Sequence, residues 1–410
     1  MRLTMNEKRA VTAKISQRYK QSGKKEKTRI LDEYVELTGY NRKHAITLLS
    51  NWGKRKTVII DNKPVRIVIG RKYKQSRRRD KKYDEEVLKP LKKIWAIYDF
   101  MCGKRLKAVL GLIVGPLITS GEIKVSDEVR QKLLEISSCQ IDRLLSRERK
   151  KNRLKGNSYT KPGSLLKSQI PVRTFADWDD KKPGFVEVDL VGHDGGNTKG
   201  DFCFSLNVTD VYSGWTEPVA IRNKARKWTF EALMVAESRF PFSFLGIDSD
   251  NGSEFINGHL YDYCDKKNII FTRSRPYRKN DNCYVEEKNN SVIRRNVGYF
   301  RYDTQEELEL LNDIYKQLRL LINFFYPCMK LIRKERIGGK VKKVYDKPKT
   351  PYQRLLESDL VKENIKVLLK NKYIKLNPAR LKRKLVSLQN KLINLNRKKY
   401  IASVNIDGAA

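Results

Sequence analysis

Residues 185–192 read FVEVDLVG, and residues 243–250 read SFLGIDSD. Both stretches are rich in apolar side chains, partly alternating with polar ones, over about four to eight residues, which is typical of strands with a buried face. The first contains Asp189, and the second ends at Asp250, directly before an Asn–Gly pair that favours a turn. We therefore expect both acids to lie over one end of a sheet.

The segments around these two stretches predict a mixed sheet with helices packed on it. Further β-like runs are FCFSLNVTDVYS (202–213), WTEPVAI (215–221) and IIFTRSRP (269–276). Apolar residues recur at helical spacing in residues 227–240, 260–267 and 284–297. The order strand–strand–strand–helix–strand–helix–strand–helix indicates an α/β fold.

A third acid, Glu286, stands near the start of the last of these helices, after a polar loop at residues 278–282. Acids that are packed together raise one another's pKa and destabilise the fold unless a cation intervenes. Mg²⁺ or Mn²⁺ is the natural cation for an all-carboxylate site, and a pair of such ions can promote phosphoryl transfer. The pattern predicts a two-metal site at Asp189, Asp250 and Glu286, although each acid alone also fits a structural cap.

These segments resemble the ribonuclease-H-like catalytic core that retroviral integrases share with bacterial insertion-sequence transposases. EVDLVG carries the first acid, DSDNGSEF (248–255) is similar to the family's D-N-G-x-x-F segment, and NCYVEEKNNSVIRR (282–295) matches its V-E-x-x-N helix. Between Asp250 and Glu286 lie 35 residues, the spacing for which the family is known.

The resemblance implies a DDE transposase in which Asp189, Asp250 and Glu286 are catalytic and bind Mg²⁺ or Mn²⁺, as two ions. It further implies hydrolysis at a transposon end to free a 3′-OH, which then attacks target DNA by transesterification, without a nucleotide cofactor. Two other classes stay open: a non-catalytic DNA-binding regulator that keeps the fold, and a stand-alone ribonuclease-H-like nuclease.

Neighbouring acids remain alternatives to the predicted triad. Asp248 points to the same strand face as Asp250, and Glu287 is one helical step of about 100° from Glu286. The weaker alternatives are Glu187 and Asp210.

Composition indicates a polyanionic partner. The chain has 87 Lys and Arg against 47 Asp and Glu, a formal net charge of +40. Self-repulsion of that size favours binding to nucleic acid. The family resemblance implies that this partner is double-stranded DNA, at transposon ends and target. The most apolar stretch, residues 109–118, is shorter than the roughly 20 residues a membrane span needs. With no secretory signal in MRLTMNEKRA, we expect a cytoplasmic, nucleoid-associated protein and no membrane partner.

Cysteines and histidines predict neither a disulfide framework nor a zinc finger. The six cysteines contain no C-x-x-C pair, and His44 is the only histidine before the acid-bearing segments. We therefore expect reduced, buried thiols, and no counterpart of the zinc-binding domain of retroviral integrases.

Two helical pairs resemble helix-turn-helix modules. In residues 25–52, Gly39 supplies a break and Asn41 can cap a second helix; in residues 120–149, a turn is expected at Ser137 and Ser138. Their second helices, together with basic and aromatic residues elsewhere, supply the candidate DNA contacts. These are Arg42, Lys43, Arg77, Arg78, Arg79, Ser138, Gln140, Arg143, Arg275, Tyr277, Lys279, Lys288, Asn289, Arg294 and Arg295.

The resulting prediction is a multidomain chain: N-terminal all-α helix-turn-helix modules, a central α/β ribonuclease-H-like mixed sheet with flanking helices, and a basic C-terminal region. The boundaries are a first module in 1–70, a basic tether and second helical module in 71–150, a linker in 151–175, the integrase core in 176–326 and the basic region in 327–410.

Two features of the C-terminal region carry expectations of their own. Residues 330–351 are very basic and contain two glycines and two prolines, which predicts an extended arm along DNA. The tail repeats leucine at alternating spacings of four and three residues from Leu381 to Leu395. That short seam fits either docking on its own domain or dimerisation, and we expect a homo-oligomer on DNA.

Overall fold

The structure is a computed structural model that describes residues 3–60, 63–70, 82–151, 182–250, 252, 254–255, 258–273, 283–337 and 340–407. Its contacts divide the chain into two compact units, Met1–Lys82 and Tyr83–Ala410. The predicted basic tether at residues 71–81 and most of the predicted linker at 151–175 lie outside the described residues.

In its described residues, the first unit has three helices and a hairpin. The helices are α1 (Met5–Gln21), α2 (Lys24–Thr38) and α3 (Arg42–Asn51), and the antiparallel strands are β1 (Arg55–Ile60) and β2 (Lys63–Val68). The helices enclose a small apolar core of their own.

The turn between α2 and α3 follows the sequence closely. Gly39 has a φ of +67°, a left-handed conformation that suits glycine, and its N–H donates to the carbonyl of Val35 at 2.8 Å. The Asn41 side chain accepts the N–H of Lys43 at 2.9 Å and begins α3. The two helices predicted for residues 25–52 are confirmed.

The second unit begins with four helices, α4 (Glu85–Ile97), α5 (Gly103–Thr119), α6 (Asp127–Glu135) and α7 (Ser138–Lys151), which confirms the helical pattern there. Their buried apolar faces belong to the same core as the central sheet. A hydrogen bond also links α4 to the later part of the unit: the hydroxyl of Tyr326 donates to the carbonyl of Ile97 at 3.0 Å. The finer domain boundaries stay predictions.

In the described part of the chain, the central sheet has five strands: β3 (Phe185–Gly192), β4 (Phe204–Asp210), β5 (Thr216–Ile221), β6 (Gly246–Ser249) and β7 (Ile270–Arg273). Their spatial order is β5-β4-β3-β6-β7. Strands β3 to β5 pair antiparallel, whereas β3, β6 and β7 pair parallel. This mixed sheet confirms the ribonuclease-H-like fold.

Helices follow the strands in the predicted order. They are α8 (Arg226–Glu237), α9 (Gly258–Lys266), α10 (Cys283–Lys288), a π-helical turn (Asn289–Arg294) and α11 (Arg295–Val297). The prediction of one uninterrupted α-helix over residues 284–297 is therefore wrong for residues 289–294, which form the π-helical turn. A π-helical turn widens the helix locally and is frequent at functional sites.

Helix α12 (Gln305–Phe324) packs against β5. Thr304 begins it with a capping box: its hydroxyl accepts the N–H of Glu307, and the Glu307 carboxylate accepts the N–H of Thr304.

The extended arm predicted for residues 330–351 is wrong. Strands β8 (Leu331–Ile337) and β9 (Lys340–Tyr345) pair antiparallel as a hairpin. Basic side chains on short alternating strands fit a hairpin as well as an arm.

The chain ends in three helices, α13 (Pro351–Glu357), α14 (Glu363–Ile374) and α15 (Pro378–Asp407). Helix α15 packs along α12, and its residues Leu385 and Leu392 are buried in the common core. Of the two alternatives for the leucine seam, the structure favours docking on its own domain.

Candidate active site

Asp189 lies on the central strand β3, three residues before the strand ends. Its Oδ1 accepts the backbone N–H of Leu190 at 2.8 Å, and its Oδ2 accepts Nδ2 of Asn289 at 2.6 Å. Burial and the nearby charge of Asp250 raise the pKa of Asp189 to about 7. The carboxyl is held in place by two uncharged donors.

Asp250 comes directly after β6, the parallel neighbour of β3. Val188 of β3 is paired with Ser249, the last residue of β6, so Asp189 within β3 stands level with Asp250 just beyond β6. The N–H of Gly252 donates to Oδ1 of Asp250 at 2.8 Å. Burial raises the pKa of Asp250, and the charge of Glu254 raises it further.

Glu286 is exposed on α10 and close enough for its charge to raise the pKa of both Asp189 and Glu187. Glu187 fixes the start of that helix. Its Oε2 accepts the backbone N–H groups of Tyr284 and Val285, each at 2.9 Å. A carboxylate on the first free N–H groups of a helix is a favourable cap.

The three acids of the predicted triad do not close into one cluster. Among the residues that the structure describes, no group of three or more His, Cys, Asp and Glu side chains could hold a metal ion. Asp189 and Asp250 share one edge of the sheet, and Glu286 lies in their electrostatic neighbourhood. The triad therefore stays a prediction.

The alternative acids have structural partners. Asp248 is buried and accepts the hydroxyl of Thr272 at 2.5 Å. Asp210 accepts the N–H groups of Gly184 and Ser213, and burial raises its pKa to about 6.

Of the remaining alternatives, Glu287 forms an ion pair with Lys288 at 3.2 Å. Glu187 caps α10, and its Oε1 is buried without a hydrogen-bond partner in the described part of the chain.

The candidate DNA contacts fall into three groups. Arg77, Arg78, Arg79, Arg275, Tyr277 and Lys279 lie outside the described residues. A second group is exposed or half-buried on the second helices of the two modules: Arg42, Lys43, Ser138, Gln140 and Arg143. Within this group, Arg42 forms an ion pair with Asp32, and Arg143 donates a hydrogen bond to Gln140.

The third group follows Glu286 on the same helical segment. Asn289 donates to Asp189, and Arg294 donates to the carbonyl of Gly192 at 2.8 Å. Lys288 pairs with Glu287, whereas Arg295 is exposed. The first two side chains thus hold the site together, and the role of this group in DNA binding stays a prediction.

Sequence reasoning missed one residue beside the acids and misjudged the cysteines. Asn207 on β4 is fully buried and donates from Nδ2 to Oδ1 of Asn289 at 2.9 Å. A lone asparagine within the apolar run FCFSLNVTD was the available signal. Cys203 and Cys264 are buried as expected, but Cys102 and Cys139 are exposed, which corrects the expectation of buried thiols.

Comparison with known proteins places the sheet in a family. Residues 179–279 match the integrase core domain. An uncharacterised protein of Sinorhizobium fredii, y4rM, is 38% identical over 355 residues, which make up 86% of this chain and 96% of that protein.

Solved structures with low overall superposition include two viral integrase cores. The catalytic core domain of BIV integrase is 19% identical, covering 43% of this chain and 95% of its own, with a TM-score of 0.29. The catalytic core domain of HTLV-2 integrase, in complex with magnesium in a dimeric form, is 15% identical, covering 35% and 89%, with a TM-score of 0.27. Within the described residues, no helix is long and apolar enough to cross a membrane.

Proposed function

The chain belongs to the same family as the Sinorhizobium fredii protein y4rM and carries an integrase core domain, and from this premise we propose that it is a DNA transposase. In this proposal it cuts transposon ends and joins them to target DNA in a metal-dependent reaction. Asp189, Asp250 and Glu286 are its catalytic acids.

One observation supports the proposal: Asp189, within β3, stands level with Asp250, which directly follows the parallel strand β6, and the charge of Glu286 on α10 reaches them. Strand ends at the edge of an α/β sheet are a common place for ligand sites. Like charges in this arrangement favour binding of a cation.

The donor set fits a hard divalent cation. Carboxylate oxygens are the ligands that Mg²⁺ and Mn²⁺ prefer, and each aspartate here is oriented by neutral donors that leave further lone pairs available. Asp189, Asp250 and Glu286 would hold the ions, two in this proposal. When bound, such ions activate an attacking oxygen and stabilise a leaving oxygen during in-line displacement at phosphorus.

The reaction has two steps, and in each step one P–O bond forms as another breaks. Water first attacks the phosphodiester at the transposon end, and the broken P–O bond leaves a 3′-OH. That hydroxyl then attacks a target phosphodiester, forming one P–O bond as another breaks, so no nucleotide cofactor is required. Within the protein, Asn289 and the Gly252 N–H keep the two aspartates oriented through both steps.

The partner in this proposal is double-stranded DNA, both transposon end and target, bound by a homo-oligomer in the nucleoid of the cytoplasm. A formal charge of +40 supports a phosphate-rich partner. The exposed second helices α3 and α7, with Arg42, Lys43 and Arg143, are the proposed readers of the end sequence.

The test uses labelled oligonucleotides with the inverted repeats that flank the gene. Asp250→Asn keeps size and hydrogen-bonding capacity but removes a charge that holds the cation. We expect end cleavage and strand transfer to fall together by at least about 10³-fold, since metal ions contribute several kcal/mol to such reactions. Mg²⁺ or Mn²⁺ should support activity, and Ca²⁺ should support binding with little cutting.

A gel shift on the same samples separates chemistry from binding. DNA affinity of the variant should be unchanged or slightly higher, because an acid that repels phosphate is gone. The matched control is Asp262→Asn, an exposed aspartate on α9, which should keep full activity. Strand joining by Asp250→Asn at the wild-type rate would place the catalytic acid elsewhere, and a wild-type protein that binds its ends but stays inert with every metal would favour the regulator.

A further inference from the structure

Asn207 is a buried polar side chain whose amide is only partly hydrogen-bonded. It lies in the middle of β4, is fully buried, and is paired in register with Asp189 on β3. Its neighbours on the same face of the strand, Ser205 and Thr209, are also buried, and the hydroxyl of each has a hydrogen-bond partner. Within the described residues, its Oδ1 has no hydrogen-bond partner. An apolar residue of similar size would avoid burying this unsatisfied oxygen. Stabilisation of the core therefore does not explain why an amide lies at this position.

The contacts of Asn207 form a relay of two amides. Its Nδ2 donates to Oδ1 of Asn289 at 2.9 Å, and Nδ2 of Asn289 donates to Oδ2 of Asp189 at 2.6 Å. Asn289 is the first residue of the π-helical turn that directly follows the helix of Glu286. The relay therefore joins β4, β3 and the helix that carries the third acid.

The direction of the relay follows from hydrogen-bond chemistry. An ionised carboxylate only accepts, so Asn289 must turn its NH₂ group toward Asp189. A side-chain amide can rotate by 180° and present its oxygen instead, which would repel the carboxylate. The donation from Asn207 to the Asn289 oxygen opposes that rotation, because the rotated Asn289 amide would set two NH₂ groups against each other.

We infer that Asn207 is a positioning residue that fixes the Asn289 amide and, through it, the Asp189 carboxylate for cation binding. This inference rests on the proposed function, because it assumes that Asp189 is a metal ligand. Asn207 acts without touching the cation or the DNA. Partners that orient a ligand in this way change metal affinity by about 10- to 100-fold when they are removed.

The experiment measures Mn²⁺ affinity of the full-length protein by electron paramagnetic resonance, which needs neither DNA nor turnover. Asn207→Leu removes the donor and keeps the branching at Cγ, and Asn207→Val serves as a smaller second variant because β-branched residues suit a strand. We expect each to weaken Mn²⁺ binding about tenfold or more, while the melting temperature without metal stays the same or rises. DNA affinity should not change.

A double-mutant cycle with Asn289→Ala tests the relay itself. If Asn207 acts through Asn289, then Asn207→Leu should weaken Mn²⁺ binding in the wild-type background and have no further effect once Asn289 is alanine. A purely structural role predicts the same loss in both backgrounds. The control is Asn312→Leu, which removes an asparagine that bonds the backbone of Ala220 on β5 and should leave Mn²⁺ affinity unchanged.

The outcomes separate this inference from the proposed function. Unchanged Mn²⁺ affinity in the folded Asn207 variants, or losses that add independently to that of Asn289→Ala, would overturn the positioning role. If the wild-type protein and Asp189→Asn bind Mn²⁺ with the same affinity, the proposed function is overturned and the inference with it. If Asp189→Asn loses Mn²⁺ binding while Asn207→Leu keeps the wild-type Mn²⁺ affinity, the inference alone is overturned.

Discussion

The central sheet buries carboxylates in two different ways, and the first is seen at Glu217 on β5. This side chain is fully buried, but Arg319 of α12 pairs with it, with Nη2 at 2.7 Å from Oε1. Trp215 donates its Nε1–H to the same carboxylate at 2.8 Å. The protein supplies the cation here, and the pair attaches a helix to the edge of the sheet.

The second way is seen at Asp189 and Asp250. Their carboxylates receive a backbone N–H or the amide of Asn289, all uncharged donors. In the described part of the chain neither forms an ion pair, and burial, together with the charge of a neighbouring acid, raises the pKa of each. An acid with an internal cation is structural, whereas two adjacent, half-buried acids held only by neutral donors are suited to take a cation from solution.

The largest expected effect concerns the internal pair. Arg319→Leu leaves the fully buried Glu217 without its cation and should lower the free energy of unfolding by about 3–5 kcal/mol. The double variant Glu217→Gln with Arg319→Leu should recover most of that loss. Chemical denaturation measures both, beside Lys316→Leu, a control on α12 whose partner Asp313 is exposed. Equal stability of Arg319→Leu and the control would remove the distinction between the two sites.

A smaller effect is expected from added metal. At Mg²⁺ about 100-fold above its dissociation constant, the wild-type protein should gain about 2.7 kcal/mol of stability. Asp189→Asn combined with Asp250→Asn should lose this gain, whereas Glu217→Gln should keep it. Denaturation with and without Mg²⁺ at constant ionic strength checks the difference. An Mg²⁺ response that disappears in Glu217→Gln but survives in the aspartate variant would reverse the comparison.

Within a single pH unit, the smallest effect comes from a base buried on the same sheet. His193, just after β3, is fully buried, bonds Ser205 at 2.8 Å, and has a pKa lowered to about 3 by burial. Between pH 3 and 6.5 the unfolded chain therefore binds more protons at this residue than the folded one. Its contribution to stability is present above pH 6.5 and is lost as the pH falls, by about 1.4 kcal/mol per unit.

Comparison of unfolding curves for wild type and His193→Gln isolates this slope. The variant should lose less stability than the wild type between pH 6.5 and pH 4, and the two should run parallel above pH 7. Parallel curves over the whole range would mean that the buried histidine is not held neutral.

Much of this architecture could be predicted from local patterns. The runs around Val186 and Ile247 gave strands in the correct order, and Gly39 with Asn41 gave the first helical turn, because these signals depend on neighbours in sequence. Asp189 and Asp250 could be placed at one edge because both lie at strand positions that the alternation defines.

The remaining features depend on contacts between distant residues. Asn207 and Asn289 are 82 residues apart, so the relay could not be predicted from either segment alone. The basic run at 330–351 has the same alternation as an extended arm, and only pairing of β8 with β9 distinguishes the hairpin. The cation of Glu217 is likewise 102 residues away in sequence.

The most direct test of the central claim is the position of Mn²⁺ in a crystal of the wild-type protein, located by its anomalous scattering. We expect an anomalous peak within coordination distance of both Asp189 and Asp250, and we expect it to be absent from crystals of Asp189→Asn grown in the same conditions. A peak elsewhere in the molecule, with none between these two carboxylates in crystals of protein that cuts DNA, would contradict it.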